Sequence, residues 1–247
     1  MNFRMIFNSL GTVLYIEAAC MLPPLLVSFI NGQGDAPSFI YTIFLLLAAG
    51  LLLKAVKPAS TNIYARDGFA IVSIGWFLIT FFGALPFIFS GTIPSLIDAL
   101  FESTSGFTTT GSSIMTDVES APRGILFWRS FTNWLGGMGF LVLTLAVFPS
   151  VKANTLHIMK AESPGPNPGK LVPQIGRTVK LLYGIYIVMT TILIVLLMLA
   201  GMPLYDSLVH AFGTAGTGGF SVKNVSIAAY NNVSIEVIIT IFMLLFG

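Results

Sequence analysis

The sequence predicts an all-α polytopic membrane protein, with two helix, re-entrant loop, helix units following a pair of extra helices. Three observations carry that prediction. Hydrophobic residues make up 55% of the chain and charged residues 9%, against roughly 25% charged in an ordinary soluble domain. The apolar residues come in runs near the roughly 20 that cross a bilayer as a helix, without the alternation of an outer-membrane barrel. Two shorter apolar segments each end in a Thr/Gly tract, and a shift of 108 positions lays Asp98 on Asp206, Leu100 on Leu208, Thr109 on Thr217 and Gly111 on Gly219. A match of this kind, with long spans on either side, indicates a duplicated unit.

Phe7 to Ile30 forms the first span, with a bend expected at Pro23-Pro24, where two amide donors are missing. Arg4 before an apolar run, and Ala18-Ala19-Cys20 within it, imitate a cleavable leader. Glu17 puts a charge where a cleavage site needs a small or apolar residue, so the helix is read as retained. Asn31 to Asp35 turns the chain, Phe39 to Leu53 returns it, and Lys54, Lys57 and Arg66 mark a positive loop. Phe69 to Ser90 is a third span of 22 residues, ~33 Å at helical rise.

Ser95 to Ser105 has 11 residues, ~16 Å as a helix and about half a membrane. It cannot cross. The segment therefore enters, and its loop through Ser113 must come back out before Ile125 to Phe148 spans the bilayer. Val151 to Lys180 is polar, rich in proline and glycine, and reads as a linker. Leu181 to Met202 is the next span, Leu204 to Phe212 a second short helix, Gly213 to Ser221 a second loop, and a further span begins at Ile235. The expected organisation is a helix pair over 1–64, a first unit over 65–152, a cytoplasmic linker over 153–176 and a second unit over 177–247. Its last helix is cut short at Gly247, so the native chain is expected to continue.

Nine of the twelve basic residues (Arg4, Lys54, Lys57, Arg66, Lys152, Lys160, Lys170, Arg177 and Lys180) fall inside if the N-terminus is cytoplasmic, leaving Arg123, Arg129 and Lys223 outside. Both re-entrant loops then open outward. A net charge of +2 gives no basis for nucleic-acid binding, and the single Cys20 supports neither a disulfide framework nor a metal site.

Non-helical backbone at membrane depth is tolerated where protein or a water-filled cavity covers it. Extended backbone there can aim carbonyls at a dehydrated cation, with the negative end of the preceding short helix pointed at the same place. Glycine reaches the tight conformations such a loop needs. Thr108, Thr109 and Thr110 can add hydroxyl oxygens. No carboxylate occurs from Ser103 to Thr116 or from Ala211 to Val222, whereas calcium and magnesium sites are built around Asp and Glu. Neutral oxygens suit a weakly hydrated monovalent cation.

Other readings of the same residues are weaker. Gly106 to Gly111 has phosphate-loop spacing, but Ser112 stands where the lysine belongs. Ser105 with His210 would make an intramembrane serine hydrolase, yet Ser103 stands where the Gly-x-Ser-Gly pattern opens on glycine and no partner orients the histidine. Glu102 and His210 occupy equivalent positions, either tuning the outer vestibule or sitting as satisfied polar groups behind the short helices. Asp98 and Asp206 are expected to cap those helices. Gly136-Gly137-Met138-Gly139 is expected to allow close helix contact. Trp128 and Trp134 read as interfacial or packing residues, Arg129 as snorkelling or paired with Asp117 or Glu119, and His157 as solvated.

Asp98 to Gly111, then Trp128-Arg129-Ser130 and Trp134-Leu135-Gly136-Gly137-Met138-Gly139, resemble the first repeat of the Trk/Ktr potassium-uptake family. Glu162-Ser163-Pro164-Gly165-Pro166, Gly201-Met202 and Thr214 to Ser221 resemble the linker and second repeat of the Trk membrane subunit. The resemblance implies a potassium-channel-like pore of four repeats in one polypeptide, preceded in the Trk branch by two extra helices. It also implies potassium as the transported ion, a plasma (inner) membrane location, homodimers, and a cytosolic nucleotide-binding regulatory partner. No covalent chemistry and no cofactor in this chain are expected. By position, Thr109, Thr110 and Gly111, with Thr217, Gly218 and Gly219, correspond to the selectivity filter. A non-conducting structural or regulatory half-subunit is the rival reading.

Overall fold

A computed structural model of the protein describes residues 2–56, 65–139 and 175–247, and every regular element within them is helical. Expectations for Lys57, for the second half of the Ile125–Phe148 span, for His157 and for most of the linker lie outside the described residues. Among the described residues, four helical stretches are long and apolar enough to cross a membrane: Phe3–Asn31, Ala36–Ala55, Arg66–Phe89 and Lys180–Leu199. Their outward faces carry bare Leu, Ile, Val and Phe side chains, such as Phe44, Phe77 and Leu199, as a lipid-facing surface requires.

The first crossing is two helices, α1 (Phe3–Cys20) and α2 (Leu22–Asn31). The break falls at Met21, just before Pro23-Pro24, because each proline ring clashes with the carbonyl four residues earlier and lacks the amide that would bond it. Gly32, at φ 61, ends α2 in the left-handed conformation. The chain returns as α3 (Ala36–Ala55). Gly11 and Gly50 let α1 and α3 meet backbone to backbone: a Cβ on Gly11 would lie 2.9 Å from the Gly50 carbonyl oxygen.

α4 (Ala65–Phe89) delivers the chain to a turn and then to the short helix α5 (Leu96–Phe107). Ser95, not Asp98, is its N-cap, accepting from the Asp98 amide at 3.5 Å. Asp98 lies inside the first turn, where its charge favours the helix dipole. After the loop, α6 (Arg123–Gly136) runs back across α5. The expected uninterrupted span from Ile125 breaks here: the helix stops at Gly136, and Gly139 turns at φ 68 with its amide on the Gly136 carbonyl at 2.8 Å. The Phe107 carbonyl occupies the space beside Gly136, so no side chain fits at this helix end.

The second unit comprises α7 (Ile175–Leu199), α8 (Leu204–Ala215) and α9 (Val233–Phe246), with a short 3-10 turn at Ser226–Tyr230. α8 has Pro203 at its N-cap with no side-chain cap, and Asp206 accepts the Tyr230 hydroxyl at 2.6 Å instead of capping.

One core joins the helix pair to the first unit, with Leu14, Met21, Phe39 and Leu46 packed among Ile79, Phe87, Phe107 and Trp128. Trp128 is fully buried and donates its indole N–H to the Gly83 carbonyl at 2.9 Å. Between the units stands an aromatic group: Phe131 stacks on Trp134 with centroids 5.5 Å apart, and Phe212 of α8 meets Phe127 edge-on at 5.6 Å. These rings hold α8 against α6 and so place the second loop beside the first.

Candidate functional site: two adjoining re-entrant loops

α5 and α8 contain 12 residues each and start 108 positions apart. Both end by the same backbone device. The amides of Thr109 and Thr217 return to Gly106 and Thr214 at 2.9 and 3.0 Å, and those of Thr110 and Gly218 return to Ser105 and Gly213 at 2.9 and 3.0 Å. Thr109 and Thr217 both sit at φ 57, Gly111 and Gly219 both at φ 75. For a β-branched residue the left-handed region costs of order 1–3 kcal/mol, a strain persisting only where surroundings enforce it.

This folding-back uses the amides and spares the carbonyls. Among the described residues, no hydrogen bond is accepted by the carbonyls of residues 108–111 or 216–219. A short helix directs the negative end of its dipole at each set. The stretches contain no carboxylate.

The two loops touch. The space a Cβ on Gly111 would need is filled by the Gly218 backbone, its carbonyl oxygen foremost. Thr109 turns its methyl toward Gly136, and Thr110 shares a hydroxyl hydrogen bond with Thr108 at 2.9 Å on the exposed face. Thr217 is exposed. A Cβ on Gly219 would meet no atom within 4 Å. Of the six residues singled out in the sequence, Gly111 and Gly218 are thus in direct contact, while Gly219 faces open space.

Side chains behind the loops brace them in parallel ways. Glu102 accepts from Ser113 Oγ at 2.8 Å and from the Ile114 amide at 3.0 Å. His210, its counterpart, bonds Ser221 Oγ at 3.0 Å through Nε2 and the Asp206 carbonyl at 2.8 Å through Nδ1. Both are satisfied polar groups behind the short helices. Arg129 neither snorkels nor pairs with Asp117 or Glu119. It is buried, with Nε 2.5 Å from Glu102 Oε1, Nη1 3.3 Å from the Ser221 carbonyl, and its guanidinium 3.9 Å from the Phe220 ring centroid. Burial leaves its charge no route to water, so the carboxylate is what makes the site tolerable.

Sequence reasoning missed Asn133 as well as this role of Arg129. Asn133 is wholly buried between the units; its side chain fills the space beside Gly216 and Gly218, with Nδ2 3.5 Å from the Gly213 carbonyl. Nothing local marks it. The Glu102–Ser113 and His210–Ser221 pairs were in principle detectable, because the 108-residue shift relates both members. Ser105 and His210 are not linked: Ser105 Oγ donates to the Ser112 carbonyl at 2.6 Å, and His210 is engaged as above.

The family model described as TrkH, cation transport protein, matches residues 36–247. The chain is 38% identical over 251 residues to the Trk system potassium uptake protein TrkH of Salmonella typhimurium, covering all of this chain and 52% of that protein. It is 36% identical over 248 residues to the TrkH of Halomonas elongata, covering 99% and 52%. The crystal structure of the potassium transporter TrkH from Vibrio parahaemolyticus superposes with a TM-score of 0.81 at 33% identity, over 98% of this chain and 49% of that one. The chain spans about half the length of the curated relatives it matches.

Proposed function

The chain belongs to the TrkH cation transport family, and from that premise we propose that it supplies two filter segments of a potassium-uptake pore in a multi-pass membrane protein. Potassium sheds its water on the carbonyls of Thr109, Thr110 and Gly111 and of Thr217, Gly218 and Gly219. The observation that carries this reading is the set of adjoining carbonyls, in stretches without carboxylates, that accept no hydrogen bond among the described residues. The chain binds the ion only in passing and does no covalent chemistry.

In this reading the loops open to the outside of the plasma membrane and the N-terminus is cytoplasmic, supported by the count of nine of twelve basic residues that this orientation assigns to the inside. A negative interior supplies about 2.3 kcal/mol per charge per 100 mV, sufficient to drive accumulation without a coupled ion. Four repeats in one polypeptide, a homodimer, and a cytosolic nucleotide-binding subunit docked on the basic face complete the proposal; the family resemblance supports these.

The test is ion flux through the native protein in proteoliposomes. Gly111→Ser and Gly219→Ser are expected to lower the preference for potassium over sodium. Unchanged permeability ratios in correctly folded variants would sink the filter assignment.

A further inference from the structure

We propose that Arg129 is a positioning residue for ion selection, a strut that sets the spacing between the two loops. The inference rests on the filter reading above and extends it to a side chain that touches no ion.

Beyond the filter glycines both loops continue as irregular backbone, with no ladder to fix their separation. Arg129 reaches both. Through Glu102 it holds Ser113 and Ile114, two and three residues past Gly111. Through Nη1 and its cation–π contact with the Phe220 ring it holds Phe220 and Ser221, one and two residues past Gly219. His210 holds Ser221 as well, but from the same unit. Arg129 thus crosses from α6 of the first unit to the exit strand of the second. The position 108 residues on is Val237, so the duplication does not repeat the strut.

Spacing matters here because Gly111 already rests on the Gly218 carbonyl. A small separation of the exit strands changes how far apart the two sets of carbonyls stand, the quantity on which discrimination between cations depends. Arginine suits such a strut because its planar fork donates to the carboxylate and to the carbonyl at once while lying on a ring. A lysine ammonium is a compact point charge with no planar face to lie on the ring, so it cannot do all three.

The test uses the native protein in planar bilayers, with reversal potentials measured under opposed potassium and sodium. Arg129→Lys keeps the charge beside Glu102 and so the fold. The double variant Arg129→Gln with Glu102→Gln removes the buried charge pair together, leaving no orphaned ion. Both are expected to elute as folded protein and to show a potassium-over-sodium permeability ratio roughly tenfold below wild type, the scale of one lost positioning hydrogen bond. A wild-type ratio in either folded variant overturns the proposal, and if the double variant does not fold, Arg129→Lys decides. Gly111→Ser in the same series separates the two failures. If it lowers the ratio and the Arg129 variants do not, the strut is wrong and the filter stands; if it too leaves the ratio unchanged, the filter reading has failed.

Discussion

Gly111 and Gly218 are in direct backbone contact across the boundary between the two units, with the Gly218 carbonyl in the space that any side chain on Gly111 would need. Gly219 shares Gly111's φ of 75 but has open surroundings. The two glycines are conformationally equivalent and sterically different.

Alanine at the two positions should therefore behave unequally in this chain. Gly219→Ala adds only left-handed backbone strain, of order 1–2 kcal/mol. Gly111→Ala adds the same strain plus a collision with main chain that cannot swing away, so its thermal midpoint in detergent is expected to fall further. Equal midpoints would contradict the contact.

Trp128 links three elements, lying on α6, meeting Phe107 of α5 edge-on at 6.1 Å and donating to Gly83 of α4. Trp128→Phe keeps much of the ring but leaves the indole's place at the Gly83 carbonyl unfilled, an expected loss of about 1–3 kcal/mol. Trp128→Ala also opens a cavity and should cost about 3–5 kcal/mol. Thermal unfolding of the pair checks the ordering, and a phenylalanine variant as weak as the alanine one would refute it.

The turn of the N-terminal helix pair is fastened to the start of α6. Gln33 Oε1 accepts from the Arg123 amide at 2.7 Å, and Ser28 Oγ donates to the buried Asp35 Oδ2 at 2.7 Å where both abut Gly124. Gly124→Ala has no free space and is expected to cost about 1–3 kcal/mol by overpacking, whereas Gln33→Ala, at an exposed bond, should cost about 1 kcal/mol or less. A Gly124→Ala protein with the wild-type midpoint would show that the turn is not seated there.

At an exposed surface Asn224 of the second unit donates to Asp117 Oδ1 at 2.9 Å and accepts from the Val118 amide at 2.8 Å. The Asn224 hydrogen bond, aided by those from Glu119 and Ser120, holds the Asp117 carboxyl below its ordinary value. A depressed folded value means this contribution is present above the unfolded value of about 4 and is lost as the pH falls through the folded one. The midpoint difference between wild type and Asn224→Ala should accordingly be positive at neutral pH and shrink below about pH 4. A difference that grows on acidification would reverse the sign and discard the argument.

Much of the architecture was readable along the chain. Ser95 to Ser105 was too short to cross, and the observed helix, Leu96–Phe107, differs by a residue or two. The shift of 108 that aligned Gly111 with Gly219 also aligns their backbone angles. Such features are legible because hydropathy, length and the donor-less proline act locally, and a bilayer leaves the backbone few alternatives. The left-handed threonines were not legible: propensity assigns that conformation to glycine, and Thr109 and Thr217 adopt it because the helix ends fold back on their own carbonyls.

Composition and pattern alone specified a membrane-embedded helical duplication, with polar, carboxylate-free loops after its short helices. Which residues met across it depended on packing. Arg129 looked like an outer-surface charge until α6 was laid between α5 and α8, which put Glu102, 27 positions back, and Ser221, 92 positions on, within its reach. The same packing put the Phe107 carbonyl beside Gly136 and set Asn133 against Gly216 and Gly218. A buried charge takes the partner that the assembled helices bring to it, and sequence separation carries no record of that distance.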